Sequence, residues 1–158
     1  IPRAFFTPEV KVISEMGKQL TVLRKPDFNP LVTAIIEKEV GVVEYNPDSQ
    51  ANITFWSPDK IEIEVSAPID QFLVLSEIYY PEGWKITSHP DWEIHPVNTI
   101  LRGIHIPAGE HHIVMEFIPD DVRYGTFLTW GSTVLLLLFI VVWINHKRKE
   151  NESLAETI

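Results

Sequence analysis

From Tyr124 to Asn145 the chain reads YGTFLTWGSTVLLLLFIVVWIN, 22 residues without a single charged side chain. A helix of that length rises ~33 Å, and the hydrocarbon layer of a bilayer is ~30 Å thick. Few other folds accommodate such a run. A buried helix in a soluble core is normally shorter, so the segment reads as a transmembrane helix. Trp130 and Trp143 lie near its two ends, where an indole keeps its ring in lipid and its N–H among headgroups. Gly125 and Gly131 are tolerated in a spanning helix.

The flanks of the span differ in charge. His146-Lys147-Arg148-Lys149 follows it, whereas Asp120-Asp121-Val122-Arg123 precedes it. The positive-inside bias then places the C-terminus in the cytoplasm and residues 1–123 outside. Three parts are expected: an extracytoplasmic domain over 1–123, a transmembrane helix over 124–145 and a cytoplasmic tail over 146–158. The tail's NESLAETI has no periodic apolar face and is expected to fray. The N-terminal IPRAFFTPEV has neither an initiating Met nor the basic and apolar regions of a signal peptide. An external domain therefore implies either a removed signal or earlier helices of a longer membrane protein, and the sequence leaves both open.

Composition narrows the external part. With no Cys, disulfide scaffolds and thiolate metal sites are excluded. The formal charge of -9 argues against nucleic-acid binding, which needs an excess of Lys and Arg over phosphate. The lipid bilayer is the one partner the pattern itself demands. All 12 prolines precede the span, separating short segments rich in Val, Ile, Thr and aromatics, as in an antiparallel β-sandwich. Lys60-Ile61-Glu62-Ile63-Glu64-Val65 alternates strictly, which marks a strand with one wet face. Gln71–Tyr80 is apolar on nearly every residue through Leu75 and reads as a strand covered on both sides. In the strand His111–Phe117, Ile113, Met115 and Phe117 share one face. Further strands are expected at Val10–Ile13, Thr33–Glu37, Val42–Tyr45, Ile53–Trp56, Trp84–Thr87, Trp92–His95 and Ile100–Ile106. One short helix is expected over Glu15–Arg24, with Ser14 as N-cap and Pro26 as the stop. The fold class is thus mostly β, a sandwich followed by one transmembrane helix.

Chemistry-bearing motifs are sparse. His105, His111 and His112, with Glu110 and Glu116, suggest a metal cluster, but neighbouring strand residues point to opposite faces and no ligand spacing fits. No metal and no cofactor is expected. Nothing frames a nucleophile or a catalytic carboxylate pair, so no catalytic residue is assigned. Asn52-Ile53-Thr54 matches the N-glycosylation pattern, which has meaning only in a eukaryotic secretory context. The most distinctive stretch is Tyr79-Tyr80-Pro81-Glu82-Gly83-Trp84-Lys85, whose aromatics either plug one end of a sandwich or form a platform for sugar rings. Arg102 interrupts an apolar strand. It calls for a carboxylate such as Glu77, or for an anionic ligand. Tyr79, Tyr80, Trp84 and Arg102 are the candidate substrate-facing residues, and Tyr80, Trp84 and Arg102 are expected at one end of the sandwich.

Several tags occur in a fixed order: Pro2-Arg3-Ala4-Phe5-Phe6, Pro26-Asp27-Phe28-Asn29-Pro30, Phe72-Leu73-Val74-Leu75-Ser76-Glu77 into Tyr79-Tyr80-Pro81, Gly83-Trp84-Lys85, Val97-Asn98, Leu101-Arg102-Gly103, Ile106-Pro107-Ala108-Gly109-Glu110-His111, then Glu116-Phe117 and Pro119. This series, with the span after it, resembles the C-terminal region of the YfhO-type bacterial membrane proteins over nearly residues 1–145. The resemblance implies a multi-pass parent of the GT-C glycosyltransferase type in the cytoplasmic membrane of a bacterium. Such a parent uses a polyprenyl-phosphate-linked sugar to modify envelope glycans, with its catalytic acids in outer loops near its front. This chain would supply the non-catalytic outer domain and last helix, packed with the upstream transmembrane bundle of the same protein. One departure is Ser88-His89-Pro90-Asp91, where the family often has an Asp-Gly hairpin. The alternative is a single-pass, membrane-anchored sandwich that recognises a glycan or a protein partner.

Overall fold

Alternation in the sequence becomes two stacked sheets in the computed structural model, which describes residues 2–41 and 44–155. In chain order the elements are β1 (Ala4–Phe6), β2 (Glu9–Val12), α1 (Met16–Leu23), β3 (Thr33–Ile36), β4 (Gln50–Trp56), β5 (Lys60–Ala67), β6 (Gln71–Ile78), β7 (Trp84–Ile86), β8 (His95–Val97), β9 (Leu101–Ile106), β10 (Gly109–Phe117) and α2 (Asp120–Ala155). Six strands form one sheet in the order β1-β6-β9-β8-β3-β2, and four form the other in the order β4-β5-β10-β7. The fold is mostly β, a sandwich followed by one apolar helix. Residues 1–118 make one compact unit and 119–158 a second.

The core between the sheets follows from period-two burial. Ile61, Ile63 and Val65 of β5 point inward while Glu62 and Glu64 do not, and Ile113 and Met115 of β10 join them. Leu73 and Leu75 of β6 and Ile104 and Ile106 of β9 meet them from the other sheet. Phe117, on the same face of β10 as Ile113 and Met115, lies beyond this core at the strand's end and is partly exposed.

β6 is covered on both faces, as its unbroken apolar run requires. Its alternate residues Phe72 and Val74 pack in a second cluster with Ala34, Ile36 and Val97. Gly103 makes this possible. The Phe72 ring and the Val97 side chain occupy the space where a Cβ on Gly103 would stand, so any larger residue would push them apart.

Some local features differ from the expected pattern. β2 and β3 pair in parallel, Glu9 opposite Thr33 through Val12 opposite Ile36. A parallel pair needs a crossover, and α1 supplies it between the two strands. Glu15, rather than Ser14, takes the N-cap position of α1; its carbonyl accepts from Lys18 and Gln19, with no side-chain cap. The buried Gln19 Nε2 donates instead to the Ile13 carbonyl at 2.7 Å, tying helix to strand. The expected strand Trp92–His95 is a loop up to Ile94, and pairing begins at His95 because the Trp92 N–H turns back onto the His89 carbonyl. Of the expected strand Val42–Tyr45, Val42 and Val43 lie outside the described residues, and the Glu44 N–H bonds to the Asp70 carbonyl from irregular backbone.

α2 contains the apolar run. Tyr124–Asn145 is long and apolar enough to cross a membrane, and each of its side chains is exposed. The helix does not stop there. The tail expected to fray stays helical to Ala155, where Lys, Arg, Glu, Leu and Ala are all strong helix formers and no Pro or Gly interrupts them.

Candidate functional site: an aromatic cleft over a buried arginine

β9 sends Arg102, Ile104 and Ile106 to the same face, so Arg102 stands at the end of the row of residues that fills the inter-sheet core. It is only 4% exposed. An irregularity in β6 prepares its environment. Leu75 pairs with Arg102 and Ile78 pairs with Leu101, so Ser76 and Glu77 bulge from the ladder. The bulge aims the Ile78 carbonyl at Arg102, whose Nε donates to it at 2.8 Å. Just beyond it, the Tyr79 N–H reaches the Ile100 carbonyl at 2.7 Å.

The guanidinium lies over the indole of Trp84, 4.1 Å from the ring centroid. Trp84 is held in turn by Phe117, its cross-strand partner in β10, with ring centroids 5.6 Å apart. Tyr80 also meets Phe117, with ring centroids 5.9 Å apart. Gly83 lets this cluster close, because the Phe117 ring occupies the position a Cβ there would take. Trp84 thus packs on Phe117 at the end of the core, and Tyr79, Tyr80 and Trp84 also line a cleft.

That cleft has a volume of about 540 Å³ and is lined by Tyr79, Tyr80, Trp84, Trp92 and Arg102, with Lys85 and Glu93 on it as well. All four residues singled out from the sequence therefore come together. Trp92 was not among them. It reaches the cleft because the loop after β7 folds over: His89 stacks on Trp92 at 4.1 Å, and His111 meets both rings edge-on. Ser88 anchors the loop, accepting the Val114 N–H at 2.9 Å and bonding His89 Nδ1 at 2.8 Å. The sequence signal was there, a second Trp just past a Pro-Asp turn that itself follows the first.

Charge on the cleft is set by burial. Desolvation pushes the Arg102 guanidinium down to about 10, partly offset by Glu77, and at neutral pH it remains a cation. The expected pairing with Glu77 does not form. Glu77 sits on the bulge and binds Arg3 at 2.9 Å, so among the described residues no carboxylate bonds Arg102 and its buried Nη1 has no hydrogen-bond partner. Partial burial, with Glu37 and Glu93 nearby, raises the Tyr79 phenol above its usual range and keeps its O–H protonated.

The histidines are dispersed. His111 Nε2 lies 3.0 Å from the Pro107 carbonyl, His112 lies 3.5 Å from Glu62 and His105 lies 3.8 Å from Asp70. Glu110 accepts from Ser66, and among the described residues no three His, Asp or Glu side chains gather where a metal would sit. Compared with family models, with curated proteins and with solved structures, the chain matches none.

Proposed function

We propose that this chain is the non-catalytic outer domain and terminal membrane helix of a bacterial envelope protein resembling the lipid-linked-sugar glycosyltransferases, and that its cleft holds a sugar ring of the glycan being handled. The cleft carries this reading. Two indoles and two phenols flank a space of about 540 Å³, within the size range of small-ligand sites. Indole faces suit the apolar face of a pyranose, while the protonated Tyr79 and polar rim groups suit its hydroxyls. The Lys147-Arg148-Lys149 flank favours a cytoplasmic C-terminus, which puts the sandwich on the outer side of the cytoplasmic membrane. A polyprenyl-phosphate-linked sugar or an envelope glycan is then the natural ligand, and the upstream transmembrane bundle of the parent protein the natural neighbour.

The test is retention of radiolabelled polyprenyl-phosphate-linked sugar by the full chain in lipid nanodiscs. Trp84→Ala should abolish retention while leaving the circular dichroism spectrum of the sandwich unchanged. Equal retention by wild type and variant would remove the cleft from the reading.

A second reading has its own support: residues 1–118 have a complete core of their own, as a free-standing module requires. On that reading the chain is a single-pass, membrane-anchored sandwich that recognises a glycan or a protein. Soluble envelope glycan would then bind the nanodisc as tightly as the lipid-linked sugar, whereas on the first reading the lipid-linked form binds better.

A further inference from the structure

Resting on the sugar-binding reading, we propose that the cleft selects a sugar carrying an anionic group, a phosphate or a carboxylate, through the positive charge of Arg102, which bonds no carboxylate among the described residues. The chain as a whole has a formal charge of -9, yet the charged residues lining this cleft are Lys85, Glu93 and Arg102, a net positive set. Glu93 is largely exposed, at 77%, so solvent screens its field far more than it screens that of the buried guanidinium.

A buried cation normally has a carboxylate partner, because desolvating it alone is unfavourable. Here Glu77, the acidic side chain that acts on Arg102 among the described residues, is bonded to Arg3 instead. The Trp84 face compensates one side of the guanidinium and the Ile78 carbonyl takes Nε, but Nη1 is left with nothing to donate to. Nη1 is buried as well as unpartnered. An anionic group lodged in the cleft, which Arg102 lines, supplies the missing countercharge.

Titration calorimetry on the full chain in phosphatidylcholine nanodiscs, with glucose, glucose 6-phosphate, glucuronate and inorganic phosphate as probes, tests this. Glucose 6-phosphate or glucuronate should bind at least about tenfold more tightly than glucose, as expected for charge-assisted bonds. Whichever of the two is favoured names the anionic group, and binding of inorganic phosphate alone at the same affinity would show that the ring adds nothing and overturn the proposal. Arg102→Met should bring the charged sugars to the affinity of glucose. In case that variant folds poorly, the wild type provides a second measurement: added NaCl should weaken the charged sugars and leave glucose unchanged. Equal binding of all three sugars, with no salt effect, overturns the charge selection and leaves the sugar cleft standing. Failure of every sugar to bind overturns both.

Discussion

Arg102, on the interior strand β9 of one sheet, and Trp84, on the edge strand β7 of the other, meet with the guanidinium 4.1 Å from the indole centroid, and this contact joins the two sheets where both residues line the cleft. A desolvated cation–π pair contributes about 2 kcal/mol. In a double-mutant cycle with Trp84→Leu and Arg102→Met, thermal unfolding of the full chain in detergent should return a coupling energy of about 1–2 kcal/mol. Additive losses would mean that the two side chains are adjacent without interacting.

The turn between β8 and β9 is the second place where one residue holds distant elements together. Asn98 and Thr99 have φ of 50° and 71°, the left-handed pair that a type I′ turn requires. Asn98 also bonds Ile35 twice, its N–H to the Ile35 carbonyl at 2.8 Å and its Oδ1 accepting the Ile35 N–H at 2.9 Å. Ile35 is fully buried, so Asn98→Ala should lower stability by about 1–3 kcal/mol, the cost of an unbonded buried N–H. Thr99→Gly should raise it by about 1 kcal/mol, since a β-branched residue is strained at positive φ. Chemical denaturation midpoints check both signs.

His95 makes stability depend on pH. Burial holds its imidazole below the ordinary 6.5, with Glu93 opposing and Lys38 and His105 adding to the shift. Below 6.5 the unfolded chain therefore binds more protons than the folded one, so this contribution is intact above 6.5 and is lost as pH falls through the folded value. The melting temperature should drop on acidification in that window, and His95→Gln should flatten the drop. A melting curve that rises on acidification would contradict this environment for His95.

Much of this was legible in the sequence, for reasons tied to particular residues. Lys60–Val65 alternates and is half buried; Gln71–Leu75 does not alternate and is covered on both faces. Tyr79, Tyr80, Trp84 and Arg102 were found as an aromatic turn and a lone cation in an apolar strand, and they line one cleft. What could not be read is what depends on register. The bulge at Ser76-Glu77 decides that Glu77 goes to Arg3 and not to Arg102, and no local pattern marks it. The parallel β2–β3 pair and the folding of Trp92 onto His89 likewise depend on contacts between segments far apart or on a turn whose direction composition does not specify.

The apolar run of α2 should tolerate no charge at its centre. Leu137→Arg costs about 2.5–3.5 kcal/mol for insertion on biological scales. Carbonate extraction of membranes should leave the wild-type chain in the pellet and shift the variant toward the supernatant. A wild-type chain released by carbonate would show that Tyr124–Asn145 does not span.

Sugar binding in the cleft is tested most directly by the indole N–H resonances of the five tryptophans, followed as envelope glycan is added to the full chain in nanodiscs. Trp84 and Trp92 line the cleft, whereas Trp56 lies on the edge strand β4 against Arg3. A sugar in the cleft shifts the Trp84 and Trp92 signals together and leaves Trp56 in place. Unmoved Trp84 and Trp92 signals at saturating glycan, or a shift confined to Trp56, would contradict it.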